Sequence, residues 1–146
     1  MKKMIMIMGV PGSGKTSKAR KLKKLLSAYH FEADMFMVDE SGKYKFDPEK
    51  LGFCHDCCWN KTFAAMYAGA TVIVSNTFIK AWERAPYFDL ARQFGYDVLV
   101  IRMNTRYNSI HDVPKEKIEQ MYNNIEPVTE TEVQGLTVTF REVGKR

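Results

Sequence analysis

The stretch that decides the fold is residues 4–16, which read MIMIMGVPGSGKT. Its first part is a short apolar run, and its second part, from Gly9 to Thr16, matches the pattern G-x-x-x-x-G-K-[ST]. This pattern forms a P-loop only between a buried strand and the N-terminus of a helix, and a helical pattern follows it here. The order predicts a loop that holds the phosphates of a nucleoside triphosphate, rather than a chance glycine turn.

Each residue type in this loop has a physical role. Backbone N–H groups of a glycine-rich turn point inward at phosphate oxygens, and the helix dipole adds partial positive charge. The Lys15 ammonium is expected to reach the outer phosphates, and the Thr16 hydroxyl to join the coordination shell of Mg²⁺. The predicted ATP-binding residues are Gly9, Pro11, Gly12, Ser13, Gly14, Lys15, Thr16 and Ser17.

The length and composition are those of a globular protein. With 146 residues, 45% of them hydrophobic and 27% charged, we expect one domain over residues 1–146. No apolar stretch approaches the roughly 20 residues that cross a membrane. The apolar run after Lys2 and Lys3 is too short for a signal peptide and continues into the P-loop, so we expect a cytoplasmic location. The net charge of +5 weakly favours polyanionic partners.

Three cysteines lie together at Cys54, Cys57 and Cys58. Zinc is one interpretation, because this spacing puts the three thiols on one face of a helix. No second Cys/His pair follows at zinc-finger spacing, however. The other interpretation is a set of buried thiols on a helix.

Continuous apolar runs predict strands that are buried on both faces of a parallel sheet. Such runs occur at residues 4–8, 35–38, 72–74 and 98–101, and an alternating run at 136–141 predicts a further strand at a sheet edge. Helical patterns cover residues 15–29, 47–69, 81–94 and 112–125. This alternation predicts an α/β fold of the P-loop NTPase type, with a doubly wound, mainly parallel sheet of about five strands and flanking helices.

Ligands of such sheets bind beyond the carboxyl ends of the strands, so the polar residues there are the candidates for chemistry. Asp34 is the candidate general base, because phosphoryl transfer to a hydroxyl needs a carboxylate that orients the acceptor and takes its proton. The alternative for Asp34 is an aspartate that begins a strand and faces water. Asp39 and Glu40 lie beside Ser41-Gly42 and indicate a turn, although either could contact the metal.

Asn76 follows the third apolar run, where many P-loop enzymes have a carboxylate that holds a metal-bound water. An amide can hydrogen-bond such a water without adding charge. We therefore expect Mg²⁺ to be held by Thr16 and, through a water, by Asn76. The alternative is a strand-end asparagine that bonds only the local backbone.

A polar segment with several basic residues follows the fourth apolar run. Such a segment is suited to lie over the triphosphate and to present an arginine to the charge that develops on the γ-phosphoryl group. Arg106 is the candidate, and the alternative is a solvated surface arginine. His111 is expected to be packed or hydrogen-bonded rather than catalytic. The predicted catalytic set is Lys15, Asp34 and Arg106.

These residues resemble a known family. The run from Met8 to Thr16, Ala33-Asp34, Ser75-Asn76-Thr77 and residues 110–114 are similar to small P-loop kinases related to polynucleotide 5′-hydroxyl kinase. Within that family the chain is most similar to phage-encoded, single-domain ATPases of the AAA or zeta-toxin-like type, over residues 4–121. The resemblance implies that Asp34 is the base for the acceptor hydroxyl and that Arg106 contacts the phosphates. It also implies ATP, Mg²⁺ and a nucleic-acid partner with a 5′-hydroxyl end, in the host cytoplasm if the chain is phage-encoded.

The sequence departs from that family at three places. A second acid and an arginine often follow the base, whereas Met35-Phe36-Met37 stands here. The motif after the third strand is usually Asp-Thr-Asn, whereas Asn76-Thr77-Phe78 stands here. The segment after the fourth strand is also less basic than in polynucleotide kinases. ATP binding is unaffected by these departures, and the acceptor stays open.

Several functions are compatible with this pattern. The leading one is a kinase that moves the γ-phosphate of ATP to a nucleic-acid 5′-hydroxyl, with a nucleoside or other small molecule as the alternative acceptor. An accessory ATPase or nucleotide switch that acts through a partner is another, and nucleotide binding without turnover is a third. A GTPase is disfavoured: residues 39–42 match D-x-x-G, but residues 60–63 read NKTF and lack the aspartate that recognises guanine.

Overall fold

A five-stranded sheet positions the P-loop. The computed structural model describes residues 2–107 and 113–146. The strands are β1 (Lys3–Met8), β2 (Tyr29–Phe31), β3 (Val72–Ser75), β4 (Asp97–Met103) and β5 (Val138–Val143). Every strand pairing within this sheet is parallel and the strand order is β2-β3-β1-β4-β5, so the P-loop leaves the central strand. The α/β fold with a parallel sheet is confirmed, as is the edge position of the last strand.

The described residues form four α-helices. These are α1 (Lys15–Leu26), α2 (Leu51–Tyr67), α3 (Ala81–Phe94) and α4 (Lys115–Asn123). A 3-10 turn, Pro48–Lys50, precedes α2, and the Asp47 side chain caps it by accepting a hydrogen bond from the Glu49 N–H at 3.0 Å. Gly95 ends α3 with a left-handed φ of 71°. Within the described parts of the chain, every helix is too short or too polar to span a bilayer.

Helices cover both faces of the sheet, as strands without polar alternation require. On one face Ile5, Ile7 and Ile73 pack against Ala19 and Leu22 of α1. The opposite face packs against α2, α3 and α4, and its buried strand residues include Met4, Met6, Val72, Val74, Val98 and Val100. Because alternate residues of each strand point to opposite faces, each strand contributes to both cores.

The predicted second strand at residues 35–38 is wrong. Helix α1 ends at Leu26, three residues earlier than expected, because Ser27 adopts a left-handed φ of 51° and reverses the chain. The chain then forms β2 at once, and residues Ala33–Phe36 form a 3-10 turn. The apolar run reflects packing rather than a strand: Met37 is buried in the core beneath α2. A short apolar run does not distinguish these two cases.

Candidate functional site

The P-loop backbone needs its glycines. Gly9, Gly12 and Gly14 have φ values of 156°, 77° and 92°, in the region that side chains disfavour. A Cβ atom on Gly9 would lie 2.5 Å from the Ser13 Oγ and 2.8 Å from the Met103 carbonyl oxygen. The loop therefore turns tightly against β4 before it enters α1.

The loop also contains polar groups that could bind the oxygens of a phosphate chain. Ser13 is fully buried, and within the described residues its Oγ has no hydrogen-bond partner. Buried hydroxyls are nearly always bonded. The start of α1 at Lys15 adds the free amides of a helix N-terminus. Pro11 and Gly12 are half-buried in the loop, and Ser17 is exposed on the first turn of α1.

The Lys15 ammonium folds over the loop. Its Nζ donates a hydrogen bond to the Val10 carbonyl oxygen at 2.9 Å. Burial lowers the pKa of Lys15 to about 8, against the opposing effect of the negative charges of Glu32 and Asp34. The ammonium is thus poorly solvated and lies near two carboxylates, a setting in which phosphate oxygens would stabilise its charged form.

Glu32 is a site residue that the sequence reasoning missed. It directly follows β2, and its carboxylate accepts hydrogen bonds from the Thr16 hydroxyl at 3.1 and 3.3 Å. It also accepts one from the Ser75 hydroxyl at 3.0 Å. Oxygen ligands of this kind, a hydroxyl beside a carboxylate, suit Mg²⁺. The only available signal was an acid directly after β2, and the misplaced second strand concealed it.

Asp34 lies two residues further on, in the 3-10 turn, with an exposed side chain. Its negative charge acts on Lys15, so the carboxylate and the P-loop ammonium are near each other. Burial and, after it, the Asp34 charge raise the pKa of Tyr44. The Asp34 charge therefore acts on both the P-loop lysine and Tyr44.

Asn76 lies at the carboxyl end of β3 and is almost buried. Its Oδ1 accepts a hydrogen bond from the Ala33 N–H at 2.9 Å, and its amide nitrogen contacts the Cys58 sulfur at 3.7 Å. Asn76 thus holds the turn that carries Asp34 against α2. An amide oxygen has two lone pairs, and the Ala33 N–H occupies one of them. The expected contact of Asn76 with a metal-bound water stays a prediction.

Arg106 follows β4 and turns toward α4. Its Nε lies 3.2 Å from the Glu119 Oε1, and its guanidinium stacks over the Tyr122 ring at 4.0 Å from the centroid. The next residue, Tyr107, donates its N–H to the Gly12 carbonyl oxygen at 2.8 Å, which ties this segment to the P-loop. The expectation for His111 and most of the similar stretch at 110–114 lie outside the described residues.

Asp39 forms a turn, as expected from its neighbours. Its Oδ1 accepts hydrogen bonds from the Ser41 N–H at 2.8 Å, the Ser41 hydroxyl at 2.5 Å and the Lys43 N–H at 3.1 Å. The match to a GTPase switch motif at residues 39–42 is therefore explained by local turn geometry.

The cysteines behave as packed thiols. Cys54 and Cys58 are buried on α2, and Cys57 is half-buried. In residues 2–107 and 113–146, no cluster of three or more His, Cys, Asp or Glu side chains could hold a metal ion. The zinc interpretation has no support there.

Comparison with known proteins places the chain in a family. The model of the AAA domain family AAA_33 matches residues 4–128. NEDD4-binding protein 2 of Homo sapiens is 32% identical over 134 residues, which cover 81% of this chain and 7% of that protein. The chain thus spans a small part of the length of this relative.

Solved structures share the fold. A gluconokinase from Sinorhizobium meliloti 1021 superposes with a TM-score of 0.63 at 16% identity, over 99% of this chain and 85% of that one. A chain of the Pnkp1/Rnl/Hen1 RNA repair complex superposes with a TM-score of 0.67 at 16% identity, over 84% of this chain and 43% of that one. The family match shows that the chain belongs to the AAA domain family, and these superpositions show a shared fold.

Proposed function

We propose that this chain, which belongs to the AAA domain family, is a kinase that transfers the γ-phosphate of ATP to a 5′-hydroxyl of nucleic acid. The observation that carries the proposal is the position of Asp34, two residues after the Glu32 carboxylate that accepts the hydrogen bond of the P-loop residue Thr16, with its negative charge acting on Lys15. A carboxylate at that point can orient a hydroxyl beside bound phosphates.

The residue roles follow from the chemistry of phosphoryl transfer. Asp34 accepts the proton of the acceptor hydroxyl as the hydroxyl oxygen bonds to the γ-phosphorus, and the bond from that phosphorus to the bridging oxygen of ADP breaks. Lys15 and the amides of the P-loop neutralise charge on the phosphates. Thr16 and, through a water, Asn76 would hold Mg²⁺, which neutralises further phosphate charge when bound.

Arg106 supplies an additional positive charge. Its ion pair with Glu119 is partly exposed, and such pairs contribute about 0–1 kcal/mol. Phosphate oxygens are strong acceptors for a guanidinium. A triphosphate can therefore replace Glu119 as the partner of Arg106 at little cost.

The surface beside Asp34 supports a nucleic-acid acceptor. Tyr44 and Phe46 are 38% and 58% exposed. Phe46, Lys45 and Lys50 line a cavity of about 550 Å³, together with the acids Asp39, Glu40 and Asp47. Aromatic rings can stack on bases, and lysines can pair with backbone phosphates. The net charge of +5 and the similar fold of a chain in an RNA repair complex point in the same direction.

An acceptor screen tests this function. The protein is incubated with γ-labelled ATP and Mg²⁺, and separately with 5′-hydroxyl RNA, 5′-hydroxyl DNA, nucleosides, gluconate and bulk protein. Oligonucleotides of the same sequence with a 5′-phosphate, and a Lys15→Ala variant, are the controls. We expect label on the 5′-hydroxyl oligonucleotides alone. Label on none of the acceptors would refute transfer, and release of free phosphate that acceptors do not suppress would instead favour an accessory ATPase.

A further inference from the structure

A chain of hydrogen bonds runs from the interior of the sheet to the P-loop. The buried His30 ring lies 2.7 Å from the Ser75 hydroxyl through its Nε2, and Ser75 bonds Glu32 at 3.0 Å. Glu32 in turn accepts the hydrogen bond of the Thr16 hydroxyl. The second strand is thereby connected to the first turn of α1.

The strand register explains why these residues meet. In the parallel ladder Phe31 pairs with Val74, so Glu32 comes level with Ser75 at the carboxyl ends of β2 and β3. Because β3 lies between β2 and the central strand, a side chain from β2 must reach past the end of β3 to touch Thr16. Glutamate has the length for that reach, and serine is small enough to let it pass while donating a hydrogen bond.

The directions of these hydrogen bonds are fixed by donor counts. A carboxylate accepts only, so the single hydroxyl hydrogen of Ser75 points to Glu32, and the Nε2 of His30 must carry a hydrogen that it donates to Ser75. Burial, with the positive charges of Lys23 and Arg20, lowers the pKa of His30 to about 4, so the ring is neutral at pH 7. The Thr16 hydrogen likewise points to Glu32, which leaves the Thr16 lone pairs free to face a cation.

We propose that Glu32, held by Ser75 and His30, is the carboxylate that orients the Thr16 hydroxyl toward the divalent cation of a bound metal–nucleotide complex. The carboxylate that supports the metal then directly follows β2. At the end of β3 stand Ser75 and Asn76, which carry no charge. In this assignment Glu32 orients the Thr16 hydroxyl toward the cation, and Asp34 accepts the proton of the acceptor hydroxyl. This inference rests on the proposed ATP binding.

Metal affinity measured without turnover tests the assignment. Mn²⁺ replaces Mg²⁺, and electron paramagnetic resonance of free Mn²⁺ gives its affinity for the protein with a non-hydrolysable ATP analogue. Calorimetry in EDTA gives the affinity for the analogue alone. The variants are Glu32→Gln, which keeps the size and removes the charge, and Glu130→Gln, an exposed acid that serves as the matched control.

We expect Glu32→Gln to weaken Mn²⁺ binding about 10- to 100-fold, the usual effect of losing a group that supports a metal site. Affinity for the analogue in EDTA should stay within about twofold, which also reports an intact fold. A double variant Glu32→Ser/Ser75→Asp should recover Mn²⁺ affinity, since it returns a carboxylate to the same point from β3. Unchanged Mn²⁺ affinity in Glu32→Gln, or no recovery in the double variant, would overturn the assignment. Absence of analogue binding by the unmodified protein would instead refute the proposed function.

Discussion

Alkaline pH should weaken ATP binding through one group, the Lys15 ammonium. Burial lowers the pKa of Lys15 from 10.5 to about 8. The lower pKa means that burial destabilises the charged form of Lys15, relative to its neutral form, by about 3 kcal/mol, at roughly 1.4 kcal/mol per pKa unit. Bound phosphates stabilise the charged form and raise the pKa again, so above pH 8 ATP binds only with uptake of a proton.

The expected size follows from this linkage. If the bound protein keeps Lys15 charged up to about pH 10, ATP affinity should fall about 30-fold between pH 7 and 9.5. Proton uptake on binding should be about 0.5 at pH 8 and about 0.9 at pH 9. Calorimetry in two buffers with different ionisation enthalpies measures both quantities.

Two variants distinguish the effect of Lys15 on the pH profile from the effects of the other lysines. Lys15→Arg keeps its charge at all these pH values, so it should bind ATP with a flat pH profile, whatever its affinity. Lys24→Met removes an exposed lysine of α1 and should retain the profile of the unmodified protein. A flat profile in the unmodified protein, with no proton uptake, would refute the claim that desolvation governs Lys15.

Further consequences concern catalysis and stability. Asp34→Asn should lower kcat about 10²- to 10⁴-fold in a single-turnover assay while ATP affinity stays within about twofold, because it removes the base and leaves the P-loop intact. Gly9→Ala should abolish measurable ATP binding in calorimetry, because the new Cβ would collide with the Met103 carbonyl oxygen. Arg84→Met should lower the free energy of unfolding in urea by about 3–5 kcal/mol, because Arg84 is fully buried and its loss leaves Glu132 without its ion-pair partner at 2.7 Å.

Each of these variants has a control within the chain. Asp56→Asn alters an exposed acid of α2 and should keep kcat, and Gly52→Ala adds a Cβ in open space on α2 and should keep ATP affinity. Arg146→Met removes an exposed ion pair with Glu142 that contributes less than about 1 kcal/mol. Full activity in Asp34→Asn would contradict its role as base. Normal binding in Gly9→Ala would contradict the tight loop geometry, and a small loss in Arg84→Met would contradict the importance of its buried pair.

The sequence predicted the parts of this molecule that are local. The P-loop is contiguous in sequence, and its glycines have the φ values that the motif requires. Helix α3 was predicted with its observed bounds, because a long periodic segment and a terminal glycine mark it clearly. The second strand was not found, since β2 has three residues and a longer apolar run follows it.

The missed parts depend on contacts between distant residues. Glu32 becomes a site residue only when β2 is correctly aligned with β3, which brings it level with Ser75, 43 positions away in the chain. The buried pair of Arg84 with Glu132 similarly joins residues 48 positions apart. Neither is marked by a local pattern, because the partners are chosen by the packing of the sheet and helices.

The central claim, that the P-loop amides and Lys15 bind a triphosphate, is tested most directly by comparing ATP with AMP in calorimetry with Mg²⁺. We expect ATP to bind at least about tenfold more tightly than AMP, a difference of roughly 1.4 kcal/mol or more, and we expect Lys15→Ala to remove this difference. Equal affinity for the two nucleotides, or no heat with ATP at roughly 1 mM, would contradict the account.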